Sequence, residues 1–150
     1  MLLMPKVLTE TAMVIESANK KEIEINYDIP EDLKVYADEN MLGGILRNLA
    51  SNAVKFTPKG GKVTISAKSL DHTVECSLRD TGIGMNRQMK ENLFNMDVNT
   101  SRKGTEKEPS NGLGLILCNE FVEKHGGKLW VESEEGKGST FYFTIPYNAV

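Results

Sequence analysis

Apolar side chains follow two rhythms along this chain. Over 5–20, Val7, Leu8, Thr11, Met13, Val14 and Ile15 make an imperfect helical face. From 21 to 28, Ile23, Ile25 and Tyr27 alternate with Glu22, Glu24 and Asn26, the period of a half-buried strand. Pro30-Glu31-Asp32 turns the chain into a short second strand over 33–36. Asp38 is placed to cap a helix over 39–56, with Met41 at its N3 position and Leu42, Ile45, Leu46, Leu49, Ala53 and Phe56 as the core-facing stripe. Thr57-Pro58-Lys59-Gly60-Gly61 ends that helix. The strands 62–69 and 74–80 then read as an antiparallel hairpin about Leu70-Asp71-His72. A short helix fits 88–94. The aperiodic stretch 95–111, rich in Asn, Ser, Thr, Lys and Glu, has the length of an active-site lid. A last helix runs from 111 to 125 and stops at Gly126-Gly127. Strands over 128–131 and 140–145, joined by a Gly-rich turn at 134–138, close the chain.

Paired strands separated by helices predict an α+β protein. The expected architecture is a two-layer α/β sandwich, a mixed and mostly antiparallel sheet covered on one face by about three helices. The first helix begins abruptly, which points to a chain continuing upstream of it. The expected division is 1–20 as a linker helix and 21–150 as one domain.

Composition narrows the class. At 150 residues, 39% hydrophobic and 26% charged, the chain can build one globular core. A net charge of −3 without a dense Lys/Arg cluster argues against nucleic acid. No apolar run approaches the roughly 20 residues of a membrane span. Direct membrane contact is therefore not expected, and a cytoplasmic setting is. Cys76 and Cys118 fall inside predicted elements and read as reduced core thiols. His72 and His125 have no Cys or Asp at ligand spacing, which argues against zinc.

Three stretches carry candidate chemistry. Asp80-Thr81-Gly82-Ile83-Gly84-Met85 puts a carboxylate at a strand end, followed by two glycines that allow close approach to the backbone. Asp80 could there meet an amino group on a flat ligand; an Asp-capped surface turn is the plainer alternative. Asn48, Asn52 and Lys55 share one helical face. They are either a solvated row or an amide oxygen for a cation with an ammonium for phosphate. Gly112-Leu113-Gly114-Leu115 opens a helix whose bare N–H groups and dipole suit an anion.

Together, Asn48 to Lys55, Asp80 to Gly84 and Gly112 to Leu115 resemble, in order and spacing, the N, G1 and G2 boxes of the catalytic ATP-binding domain of bacterial two-component sensor histidine kinases. The wider superfamily includes DNA gyrase, MutL and the ninety-kilodalton heat-shock chaperones, with the Bergerat-type fold. Leu93-Phe94 is similar to the F box, and Gly136-Lys137-Gly138-Ser139-Thr140-Phe141 to the closing Gly-rich turn and last strand. The resemblance covers about residue 20 onward.

The resemblance implies that the cofactors are ATP and Mg2+. Asp80 would accept from the adenine amino group, and a guanine carbonyl would be rejected there. Gly82, Ile83 and Gly84 would wall the base and hinge the lid. Asn52 would ligate magnesium, with Asn48 beside it. Lys55 would meet a phosphate and Phe56 would pack near the nucleoside. Gly112, Leu113, Gly114 and Leu115 would hold the β- and γ-phosphates, and Ser139 would share a water with Asp80. Arg102, Lys103 and Lys107 are lid cations that could reach the γ-phosphate. The γ-phosphoryl group would go to a histidine of an upstream dimerisation domain, and a response regulator would be served indirectly. The fragment itself would be monomeric.

Asn48 occupies the place of the glutamate that activates water in gyrase-type ATPases. An amide is no base, so transfer is favoured over hydrolysis. The chain departs from the family pattern at Ser110-Asn111-Gly112, at Pro109, and at Met96 in place of a second F-box aromatic. Two other readings stay open. One is a serine kinase of the anti-sigma type, against which the ending Lys124 to Ser133 speaks. The other is a degenerate nucleotide-binding or protein-interaction module without kinase activity.

Overall fold

The computed structural model describes residues 1–93 and 113–147. Its elements are α1 (Leu3–Lys20), β1 (Glu24–Asp28), α2 (Glu39–Lys55), β2 (Lys62–Ser69), β3 (Thr73–Asp80), α3 (Arg87–Asn92), α4 (Leu113–Lys124), β4 (Leu129–Glu134) and β5 (Gly138–Pro146). The five strands lie in the order β1-β2-β3-β5-β4. β1 runs parallel to β2, with α2 as the crossover; the other pairs are antiparallel. α1, α2 and α4 pack side by side against the sheet. This is the two-layer α+β sandwich that the patterning predicts.

The strand alternation explains the layering. Val63, Ile65, Val74, Cys76, Leu78, Phe141, Phe143 and Ile145 turn toward the helices and are buried. Their neighbours Thr64, Ser66, Ser77, Thr140 and Thr144 stand on the open face. Trp130 and Tyr142 stack on that face with ring centroids 5.2 Å apart.

The helix α2 is buried along more than one stripe, since Ala50 and Val54 join Leu42, Ile45, Leu46, Leu49 and Ala53 in the core. It lies between α1, α4 and the sheet, and Gly43 and Gly44 make that possible. A methyl group on Gly43 would meet Glu10 of α1, and one on Gly44 would stand 3.1 Å from the Phe121 ring of α4. Glycine costs a helix about 1 kcal/mol relative to alanine; here it lets two helices approach. The cap at Asp38 forms as expected, its carboxylate accepting from Met41 N–H at 2.8 Å.

Three expectations need correction. The segment 33–36 is no strand; its backbone pairs with the chain just before α1, through Leu3 N–H to Leu33 O, Val35 N–H to Met1 O and a single bridge between Leu2 and Lys34. Four residues after a Pro turn are too few to show which edge they will meet. The first helix begins at Leu3, because Pro5 falls in its first turn, where the missing N–H has no intrahelical acceptor to lose. Phe56, counted in the core stripe, is the C-cap of α2 and only half-buried.

α1 belongs to the same buried cluster as the sheet, through Leu3, Val7, Val14 and Ala18. Thr11, also buried, bonds the Val7 carbonyl and the Tyr27 hydroxyl. Among the described residues no helix is long and apolar enough to cross a membrane.

Both cysteines are free and buried, and burial pushes each thiol up to about 12 from 9.0. A raised native value means the unfolded chain releases these protons first. The thiols therefore contribute stability that is complete below pH 9 and is lost as pH rises from about 9 toward 12. Chemical denaturation is expected to show falling stability across that window, and Cys76→Ser/Cys118→Ser should flatten the slope. A thiol reagent at neutral pH should modify both cysteines only in the unfolded protein.

Candidate functional site

The site is assembled where four chain segments end near one another: the last turns of α2, the end of β3, the first turn of α4 and the start of β5. Asp80 closes β3 on its helix-facing side and is only 6% exposed. Its Oδ1 accepts two backbone hydrogen bonds, from Gly82 N–H at 2.9 Å and Ser139 N–H at 3.2 Å. Two fixed donors on one oxygen set the plane of the carboxylate and offset the cost of burying its charge.

The loop after Asp80 is clamped from both sides. Ile83 N–H donates to Phe56 O at 3.0 Å, hanging the loop on the end of α2. Gly136 N–H donates to Ile83 O at 2.8 Å, tying it to the β4–β5 turn. These bonds bring backbones into contact where only hydrogen fits. A methyl group on Gly82 would lie 2.2 Å from Phe56 O, and one on Gly84 would lie 2.1 Å from Glu134 O. Gly84 also has φ +66°, a left-handed conformation that disfavours other residues. A methyl on Gly138 would lie 2.2 Å from Asp80 O. The glycines thus do more than leave room for a ligand. They let the wall be made of backbone.

Asn48 Nδ2 donates to Gly44 O at 2.8 Å, and a methyl on Gly114 would stand 2.6 Å from Asn48 Oδ1. The first turn of α4 therefore rests on the polar face of α2. Asn52 and Lys55 follow on that face, each half-buried. Leu113 opens α4, and Leu115 is buried beneath its first turn.

The structure brings together Asp80 with Ser139 and Gly82, Phe56 with Ile83, and Asn48 with Gly114. Gly112, Phe94, the expected lid and its cations Arg102, Lys103 and Lys107 lie outside the described residues. Ser139 meets Asp80 directly through its backbone N–H, while its hydroxyl contacts Ser133 Oγ at 2.7 Å.

Two polar residues escape sequence reasoning. The Lys21 ammonium is buried and donates to Val54 O at 2.9 Å and Lys55 O at 3.1 Å, capping the negative end of α2 beneath the polar row. Lys90 donates from its ammonium to Ser133 O at 2.7 Å, holding α3 to β4 beside the loop.

Residues 37–149 match the histidine kinase-, DNA gyrase B-, and HSP90-like ATPase family. The chain belongs to that family. It is similar to the adaptive-response sensory kinase SasA of Synechocystis, 38% identical over 130 residues, which are 85% of this chain and 33% of that protein. The catalytic domain of histidine kinase ThkA superposes with a TM-score of 0.84 at 29% identity, over 98% of this chain and 94% of that one. Full-length ShkA, solved with AMPPNP, superposes with a TM-score of 0.79 at 29% identity, over all of this chain and 31% of ShkA. The chain thus spans about a third of its curated relative, as an ATP-binding catalytic domain of the histidine-kinase type.

The glycine contacts are separable by experiment. Gly84→Ala meets both backbone strain and a backbone oxygen, and is expected to lower stability by about 3 kcal/mol. Gly136→Ala shares the positive φ, +82°, but has nothing within 4 Å, and should lose only about 1 kcal/mol. Urea unfolding of the two variants checks the difference.

Proposed function

We propose that this domain binds ATP with magnesium and passes the γ-phosphoryl group to a histidine on a dimerisation domain of the parent protein. The observation that carries the reading is the Asp80 carboxylate, held at the end of β3 by two backbone N–H groups beside walls that only glycine can form.

The residues fit the ligand chemically. The Asp80 carboxylate accepts from the adenine amino group, and Gly82, Ile83 and Gly84 line the base. The amide oxygen of Asn52 is a hard donor of the kind magnesium takes alongside phosphates and waters, with Asn48 next to it. Lys55 at the end of α2 offers a cation to phosphate, and Phe56 stands beside the nucleoside. Leu113, Gly114 and Leu115 stand in the first turn of α4, with Gly112 preceding them in sequence, and the N–H groups and dipole of a helix start favour the β- and γ-phosphates. Ser139, whose N–H meets Asp80, would complete the base contact through a shared water. Magnesium supplies charge neutralisation along the phosphates; the chain supplies position.

Asn48 decides between water and protein as acceptor. Its amide has no basic atom, and its nitrogen is already committed to Gly44 O. Asn48 itself cannot take a proton from water, which favours a protein nucleophile for the phosphoryl group. Neither histidine of the chain suits that role. His72 lies in the β2–β3 turn, and the His125 ring is held between Asp38 N–H at Nε2 and Phe121 O at Nδ1.

The acceptor therefore belongs to an upstream dimerisation domain, with α1 as the linker from it, and a response regulator takes the phosphoryl group from that histidine. The isolated domain is monomeric and acts in the cytoplasm, without nucleic acid or direct membrane contact.

Mixing the domain, γ-labelled ATP and magnesium with the parent's dimerisation domain should give an acid-labile phosphohistidine on the latter. Asn52→Ala is expected to cut transfer by at least about a hundredfold while leaving the fold intact. Free phosphate released faster than phosphohistidine forms would contradict the transfer reading.

A further inference from the structure

Asp80, Ser139 and Ser133 stand side by side in one cross-strand row over β3, β5 and β4, with Asp80 paired to Ser139 and Ser139 to Ser133. Residues directly opposite in a sheet share a face, so the two hydroxyls extend the line that the carboxylate begins. Ser133 Oγ makes three contacts. It accepts from Met85 N–H at 2.9 Å, lies 3.0 Å from Gly138 O and lies 2.7 Å from Ser139 Oγ.

The direction of these bonds follows from counting protons. A serine hydroxyl has one proton and two lone pairs, and a carbonyl can only accept. Ser133 therefore gives its proton to Gly138 O, and the proton in the 2.7 Å contact is that of Ser139. Ser133 is then saturated, donating once and accepting from Met85 N–H and Ser139 O–H. With its proton drawn toward β4, Ser139 presents only lone pairs beside the Asp80 carboxylate.

We infer that Ser133 is a specificity-determining positioning residue for the nucleotide base. By taking the Ser139 proton it turns the wall formed by Asp80 and Ser139 into an acceptor-only surface, which selects a base edge that carries an amino group and opposes one that carries a carbonyl. The inference rests on the nucleotide-site reading above. Without the Ser133 oxygen, the Ser139 hydroxyl regains a free proton and can donate to a base carbonyl. The discrimination weakens even though no residue proposed to touch the base has changed.

Inosine triphosphate is the appropriate probe, because it differs from ATP only at that edge, with a carbonyl and N1–H in place of the amino group and N1. Calorimetric titrations with both nucleotides in magnesium, with a thermal melt of each variant, test the inference. Ser133→Ala should narrow the ATP-to-inosine preference about three- to tenfold, the range of one hydrogen bond. Ser133→Thr keeps the hydroxyl and should restore the preference. Ser139→Ala should weaken ATP more than inosine triphosphate. A folded Ser133→Ala protein that loses affinity for both nucleotides equally, or for neither, overturns the inference and makes Ser133 a mere anchor of the β4–β5 hairpin. If Ser133→Ala does not fold, Ser139→Ala decides: a larger loss for inosine triphosphate means that Ser139 donates, which also overturns it. Wild-type protein that binds no ATP overturns the site reading itself, and the inference with it.

Discussion

Around Asp80 three backbone segments meet so closely that only hydrogen can stand between them. The end of α2 touches Gly82, the β4–β5 turn touches Gly84, and the start of β5 touches the Asp80 carbonyl at Gly138. Hydrogen bonds from Ile83 to Phe56 and from Gly136 to Ile83 hold the three in register. Two backbone donors on the carboxylate that they surround, Gly82 N–H and Ser139 N–H, tie its direction to the sheet. The proposed reading of one amino group would gain from this, because a group fixed before the ligand arrives loses little entropy on binding.

The same economy runs through the helical layer. α2 carries the polar row Asn48, Asn52 and Lys55 and is also the central core helix, which α1 and α4 approach at Gly43 and Gly44. Its carbonyl end is held by Lys21, and its amino end by Asp38, whose own N–H donates to His125 at the end of α4. Both ends of the helix that bears the site are thus tied to other elements. A change in how α1 packs would reach Lys55 through the carbonyl that Lys21 holds.

Much of this was legible in the residues. The patterning placed the strands 62–69, 74–80 and 140–145, and Asp80 followed by two glycines marked the strand end as unusual. Its carboxylate and the face of α2 could be located because periodicity places them without tertiary knowledge. Other features were illegible for a physical reason. Lys21 looks like the first residue of an alternating strand, since its partners are backbone carbonyls that a sequence does not distinguish. Ser133 sits in an alternating strand like any small polar residue, and its role depends on which strands become neighbours. Gly43 and Gly44 read only as a weakness in a helix until the helices on either side are known. The segment 33–36 carries strand-forming residues, but its pairing with the chain before α1 is a long-range event.

The central claim is that Asp80 reads the amino group of adenine. Calorimetric titration of ATP and GTP with magnesium, against wild type and Asp80→Asn, tests it most directly. Asparagine keeps an oxygen for the Gly82 and Ser139 N–H groups, so the fold should survive while a carboxylate acceptor is lost. The account predicts that wild type binds ATP and not GTP, and that Asp80→Asn binds ATP at least about tenfold more weakly. Unchanged ATP affinity in a folded Asp80→Asn protein, or equal binding of the two nucleotides by wild type, would contradict it.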